Sequence, residues 1–459
     1  MARSLRTIYE HVLHTITGRA TQLAVRGERT RARPWLLVSS AMSWLDFLQA
    51  TARARSAVIV QYVSLGVALL GIPSGFLIDP KAFILTCAGL LLSIAGLVIE
   101  YLRAAREGVE MWLVAVPPLT AVEVAGTPEV IEVGDDLVYH PAAAGVALSR
   151  SSLGRPQARL AVSWTPGRRR LAVKIEQHRT SILLHKYRST RMRPFNGANV
   201  TQLSSIEDSV RDPRTPVRFG PSRYFDLLVS NYLANEVLQD SSRREVLSVR
   251  ALMLGERGRL VRFEDSRLAD PVGVSTLAID QNKRVVLIAH SETALSSAGR
   301  IAPSGSGSLE PRDLPRRLVR GKEETGSLCD AITTGMTREL LEESNLEQSD
   351  IRWSAVTGYF RWITRGGKPE YVGVTVLNRR TDELTDRRRL TEHKWVKAIY
   401  RDVEIDLGRL RGDPTRPQDC LGDSDLAKIM SVPLAMALTC LGQRLQDADF
   451  AAEFARQFD

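Results

Sequence analysis

Two uncharged apolar runs constrain this chain more than any other feature. Residues 57–78 read AVIVQYVSLGVALLGIPSGFLI, and residues 82–99 read AFILTCAGLLLSIAGLVI. At about 1.5 Å of rise per residue, each run can cross a hydrocarbon layer roughly 30 Å thick. Two transmembrane helices, 57–78 and 82–102, are therefore expected. Only Asp79, Pro80 and Lys81 separate them, which demands a tight hairpin. Arg53 and Arg55 precede the first run, and Arg103 and Arg106 follow the second. Positive charge at both outer ends places both termini on the cytoplasmic side of a multi-pass membrane protein. Gly71 and Gly75, four residues apart, would let helices approach closely.

A chain of 459 residues exceeds one compact core. The expected organisation is α+β in four parts. Residues 1–50 form an amphipathic cytoplasmic segment, with Ile8, Val12, Leu13 and Ile16 at helical spacing. Residues 51–106 hold the transmembrane helical hairpin. Residues 107–270 form a β-rich middle region, and residues 271–459 a C-terminal domain. The net charge of +10 comes mainly from Arg. It suits an anionic inner leaflet and is not read as the footprint of a nucleic acid polymer. Cys87, Cys329, Cys420 and Cys440 form no CxxC pair, as in a reducing compartment.

Within the middle region, strands are expected at 112–116, 121–125, 160–164 and 171–175, with a helix at 224–239. His140, His178 and His185 are not spaced as metal ligands. Further on, apolar runs at 272–279 and 284–289 flank Asp280-Gln281-Asn282-Lys283, a hairpin turn. A Gly/Ser loop at 303–308 and a charged insertion at 310–324 follow. A helix then begins at Ser327, with Asp330 at capping-box spacing, and stops near Asn345. It carries Glu339, Glu342 and Glu343 at i, i+3 and i+4, which puts three carboxylates on one face. Each like-charged pair costs a few tenths of a kcal/mol. The helix dipole also opposes negative charge near the C-terminal end. A bound Mg²⁺ or Mn²⁺, which prefers oxygen ligands, would relieve both penalties. The plainer alternative is an acidic, solvated helix face.

Residues 338–346, RELLEESNL, resemble the second half of the Nudix box, Arg-Glu-aliphatic-x-Glu-Glu-x-Gly-aliphatic. The resemblance to the Nudix hydrolase superfamily covers 271–446 and implies an α/β/α domain. It also implies Glu342 and Glu343 as catalytic carboxylates, a metal held by Glu339, Glu342 and Glu343, and support from Arg338. Three departures stand out. The box glycine is Asn345, the upstream glutamate is Asp330, and the first glycine falls on Glu324. Downstream, strands at 356–360 and 371–377 enclose a Gly366-Gly367 turn. Glu392 precedes Trp395-Val396, as a further ligand or base does in some Nudix domains. A helix at 426–441 closes the domain.

The whole arrangement is similar to the transmembrane-Nudix effectors of bacterial cyclic-oligonucleotide antiphage (CBASS) systems. That likeness implies a nucleotide sensor, with a cyclic oligonucleotide as ligand. It further implies a homo-oligomer in the lipid bilayer of the inner membrane that disrupts the membrane when activated. The competing class is a membrane-tethered, Mg²⁺-dependent hydrolase of a nucleoside diphosphate linked to another group. Arg316, Arg317 and Arg320 of the insertion are candidate phosphate contacts.

Overall fold

The computed structural model describes residues 111–154, 159–190, 196–290, 299–344, 346–380 and 396–459. Its contacts divide the chain into two compact units. The described part of one contains a three-stranded sheet, Met111–Ala115, Glu236–Asp240 and Glu245–Ser248 in spatial order, and the helix Val173–Thr190. The other unit holds the remaining described elements, including the carboxylate helix.

Nine strands of that second unit form one sheet. They are β1 (Val130–Val133), β2 (Asp136–Tyr139), β3 (Gly273–Ile279), β4 (Arg284–His290), β5 (Ile301–Pro303), β6 (Gly305–Ser308), β7 (Ile351–Trp362), β8 (Lys368–Leu377) and β9 (Val396–Glu404). The spatial order is β5-β4-β3-β8-β7-β2-β1, with β6 also on β3 and β9 also on β4. β3 runs parallel to β8, Leu277 opposite Val374, and β7 returns antiparallel along β8. The turn joining β7 to β8 contains Gly366 and Gly367, at φ 70° and 69°, a left-handed conformation that glycine adopts without a Cβ clash.

Strand alternation explains why these segments read as almost continuous apolar runs. Leu277, Ile279, Val372, Val374, Val285 and Leu287 join a core with Leu434, Leu438 and Leu441 of the helix α2 (Val432–Leu445). Val274 and Tyr371, of the opposite parity, pack with Ile332 and Met336 of the helix α1 (Leu328–Ser344). Ala278 and Val286 likewise pack with Leu340 of α1. Successive strand residues face opposite sides, so the sheet is buried on both faces between α1 and α2. The described chain is thus α+β with a β-rich body, and the sheet includes the β1–β2 hairpin from earlier in the chain.

The membrane expectation is corrected. No helix among the described residues is long and apolar enough to cross a membrane. Val173–Thr190 carries Lys174, Glu176, Arg179 and Lys186, and α1 carries five acidic or basic groups besides its apolar face. α2 is apolar but has 14 residues, about 21 Å of helix against a layer of roughly 30 Å. The runs 57–78 and 82–102, on which the transmembrane hairpin and the multi-pass location rested, lie outside the described residues. So does the amphipathic segment within 1–50.

In the middle region the strands expected at 112–116 and 160–164 are present as Met111–Ala115 and Ala161–Trp164, and the other two are not strands. Residues 121–126 form turns, and 171–175 leads into the helix Val173–Thr190 instead of a strand. The single helix expected at 224–239 is a short helix, Tyr224–Leu228, then a 3-10 turn, then the strand Glu236–Asp240. The stretch 188–221 supplies Ala198–Gln202 and part of Val217–Arg223. Those strands and Ala161–Trp164 build a four-stranded sheet closed by Gly326–Ser327, just before α1.

Candidate functional site: the carboxylate face of the helix after the Gly/Ser strand

The run 303–308 is not a loop. Gly305–Ser308 pairs antiparallel with β3, Gly305 opposite Thr276 and Gly307 opposite Val274. Missing side chains hide the alternation that marks other strands, and they also allow α1 to lie against this one. A Cβ on Gly305 would stand 2.9 Å from the backbone nitrogen of Leu340, and one on Gly307 would collide with the Glu339 carboxylate. The helix therefore brings its acidic residues down onto β6. The Ser306 backbone N–H donates to Glu343 Oε2 at 3.0 Å.

Arg338 organises the face. Its Nη1 donates to Glu339 Oε1 at 2.9 Å and to Glu342 Oε2 at 3.1 Å. Its Nε donates to Asp313 Oδ1 at 2.8 Å, and its Nη2 to Asp313 Oδ2 and to the Ser308 carbonyl, both at 2.9 Å. Glu310 lies 3.9 Å from Nη1. Arg312 links Glu310, at 2.7 Å, to Glu342 Oε1, at 3.1 Å. Burial works against the Arg338 charge, but Glu339, Asp313 and Glu310 outweigh it and raise its pKa. Burial pushes the Glu339 carboxyl up to about 7; Arg338 pulls it down, while Glu342 and Glu310 push it further up. Burial also raises Glu310, against the pull of Arg338 and Arg312.

Of the residues singled out in the sequence, Arg338, Glu339, Glu342 and Glu343 come together on α1 and β6. Asp330 does not join them. It is exposed, its backbone N–H donates to Ser327 Oγ at 3.2 Å, and it precedes Arg338 by eight positions, about 12 Å along the helix axis. The carboxylate that grips Arg338 from outside the helix is Asp313. Glu392 and Asn345 lie outside the described residues. Arg317 pairs with Glu323 at 2.9 Å on the exposed insertion. Sequence reasoning missed Glu310, Arg312 and Asp313. The available signal was Glu310-Pro311-x-Asp313, a capping box that closes a 3-10 turn, in which Glu310 N–H donates to Asp313 Oδ2 at 2.8 Å.

By donor type the face suits a hard divalent cation: three carboxylates, one of them buried, with its acid form favoured first by that burial and then by neighbouring negative charge. By position it does not yet form a coordination shell. Among the described residues no group of three or more His, Cys, Asp or Glu side chains is arranged to hold a metal ion. Guanidinium groups of Arg338 and Arg312 stand against Glu339 and Glu342 instead. No known protein-family model matches the chain, and no curated protein matches it.

Proposed function

We propose that the unit carrying α1 is a Nudix-type nucleotide-handling domain that hydrolyses a nucleoside diphosphate linked to another group, with Mg²⁺ or Mn²⁺ as cofactor. The observation that supports this reading is the seating of Glu339, Glu342 and Glu343 on one face of α1, against β6, with Arg338 bridging two of them. When bound, the cation would neutralise the diphosphate and lower the pKa of the attacking water. Glu342 and Glu343, the more accessible carboxylates, would take the cation and orient the water. Glu339 is the buried member of the three, and a bound cation would favour its ionised form. Arg338 bridges Glu339 and Glu342 through one nitrogen, screens their repulsion and fixes their rotamers.

A sensor reading is favoured by one contact pattern: Arg338 and Arg312 together engage both oxygens of Glu342. Such a site would bind a nucleotide, for instance a cyclic oligonucleotide, without cleaving it. Both readings meet one experiment. The full-length protein is incubated with nucleoside diphosphate sugars and cyclic di- and trinucleotides, with Mg²⁺ or Mn²⁺, and both product formation and binding are measured. Metal-dependent cleavage that is lost in Glu342→Gln supports the hydrolase, and binding without cleavage supports the sensor. Neither cleavage nor binding would overturn the nucleotide reading altogether.

A further inference from the structure

The helix α2 ends on a buried guanidinium that has no partner. Arg444, in its last turn, is 7 % exposed. Its side chain makes no hydrogen bond or ion pair with any described residue. Nε is buried, whereas Nη1 and Nη2 are not enclosed in the same way. Three neighbours could have neutralised the charge, and none does. Asp447, three positions on, accepts the backbone N–H groups of Asp449 and Phe450 on Oδ1, at 3.0 and 3.2 Å, as the N-cap of the helix Ala448–Ala455. Cys440, one turn earlier, keeps its proton at neutral pH, because burial pushes its thiol up to about 12. Arg150 has the same sign. It is exposed in the last turn of the helix Ala142–Ser152, and its side chain likewise has no ion pair among the described residues. His140, just ahead of that helix, places it against the end of α2, with its Nε2 3.1 Å from Oε1 of Gln443. Burial lowers the Arg444 pKa, Cys440 and Asp447 draw it back up, and Arg150 lowers it further. A charge taken out of water without a counter-charge or full hydrogen bonding is unfavourable. The helix dipole favours a cation at this end, but a solvated arginine would meet that need without being buried.

We propose that Arg444 and Arg150 form a binding site for a phosphoryl group, where the end of α2 meets the helix Ala142–Ser152. Two guanidiniums match the double negative charge of a phosphate. The Nη edge of Arg444 is planar and held by the buried Nε, so it can donate to two oxygens of one phosphate. A bound phosphate would supply the missing counter-charge and relieve the repulsion between the two cations. Arg338, Glu339, Glu342 and Glu343 take no part in this site, so it and the proposed hydrolysis stand or fall separately.

The test uses the full-length protein with a chelator present, and follows calorimetry and thermal melting against three probes: inorganic phosphate, a nucleoside monophosphate and acetate. Phosphate should bind and raise the melting temperature. Arg444→Met keeps an apolar stem and removes the charge. It should weaken phosphate binding about 10–100-fold, the effect of losing a hydrogen bond between charged groups, and abolish the phosphate-induced rise in melting temperature. Arg150→Met should weaken binding about 2–5-fold, as the loss of an exposed ion pair does. Tighter binding of free phosphate marks inorganic phosphate as the occupant, and tighter binding of the monophosphate marks a phosphate ester; either result supports the site. The proposal is overturned if the unaltered chain binds no phosphate, or if acetate binds as tightly as phosphate. It is equally overturned if Arg444→Met binds phosphate as the unaltered chain does, which would leave Arg444 as helix-end support alone. Should Arg444→Met not fold, Arg444→Lys decides: an ammonium cannot reproduce the planar two-point contact, so unchanged phosphate affinity there overturns the proposal.

Discussion

Gly307 lies directly beneath the Glu339 carboxylate, with no room for a Cβ between them. Gly305, two residues earlier on the same strand face, meets the Leu340 backbone instead. The two glycines therefore fail differently when filled. A methyl at Gly305 presses on a helix backbone that cannot give way, and Gly305→Ala should cost about 1–3 kcal/mol of stability. A methyl at Gly307 presses on the end of a side chain, so Gly307→Ala should cost less stability but drive Glu339 off Arg338. Urea denaturation of both variants, beside their Mn²⁺ affinity, checks this. Equal loss of stability with unchanged Mn²⁺ binding in Gly307→Ala would contradict it.

Glu339 should make the metal-free protein pH-sensitive. Its carboxyl rises from 4.5 to about 7 on folding, so between those values the folded chain holds a proton that the unfolded chain releases. Stability from this group is complete below the lower value and declines as pH rises through the upper one. With a chelator present, Glu339→Gln should flatten that part of the melting-temperature profile. A profile with the same slope in both proteins would show that Glu339 is not the titrating group.

Lys368 and Glu370 form an ion pair buried at the start of β8, with side chains 10 % and 5 % exposed. Burial raises the Glu370 carboxyl, and Lys368 pulls it back. Removing one partner strands the other charge, so Glu370→Gln should destabilise by about 3–5 kcal/mol. Replacing both, Lys368→Met with Glu370→Leu, should recover most of that. Denaturant titration of the three chains is the check, and a double variant as unstable as the single one would refute it.

The sheet was legible because its strands are long apolar runs between clear turns. Residues 272–279 and 284–289 match β3 and β4 almost to the residue. The expected helix starting at Ser327 is α1. The closing helix was placed too early. Pro433 falls in the first turn of α2, where its missing N–H costs nothing, and the preceding Ser424–Lys428 is a separate turn of helix. The Gly/Ser strand was misread because glycine carries no alternation signal. Asp313 could not be assigned from local sequence, since its partner Arg338 lies 25 positions later and only the packing of α1 on β6 unites them.

On the proposed function, Glu342 and Glu343, with Glu339, hold a divalent cation. Calorimetric titration of Mn²⁺ into the unaltered chain and into the Glu342→Gln, Glu343→Gln double variant tests it most directly. Glu342 pairs with Arg338 and Arg312, and Glu343 accepts the Ser306 N–H, so urea denaturation of both metal-free chains accompanies the titration and separates a change in binding from a change in folding. The unaltered chain should bind Mn²⁺ clearly, and the variant should lose that binding. Equal Mn²⁺ affinity in both would mean that these carboxylates are surface charge and nothing more.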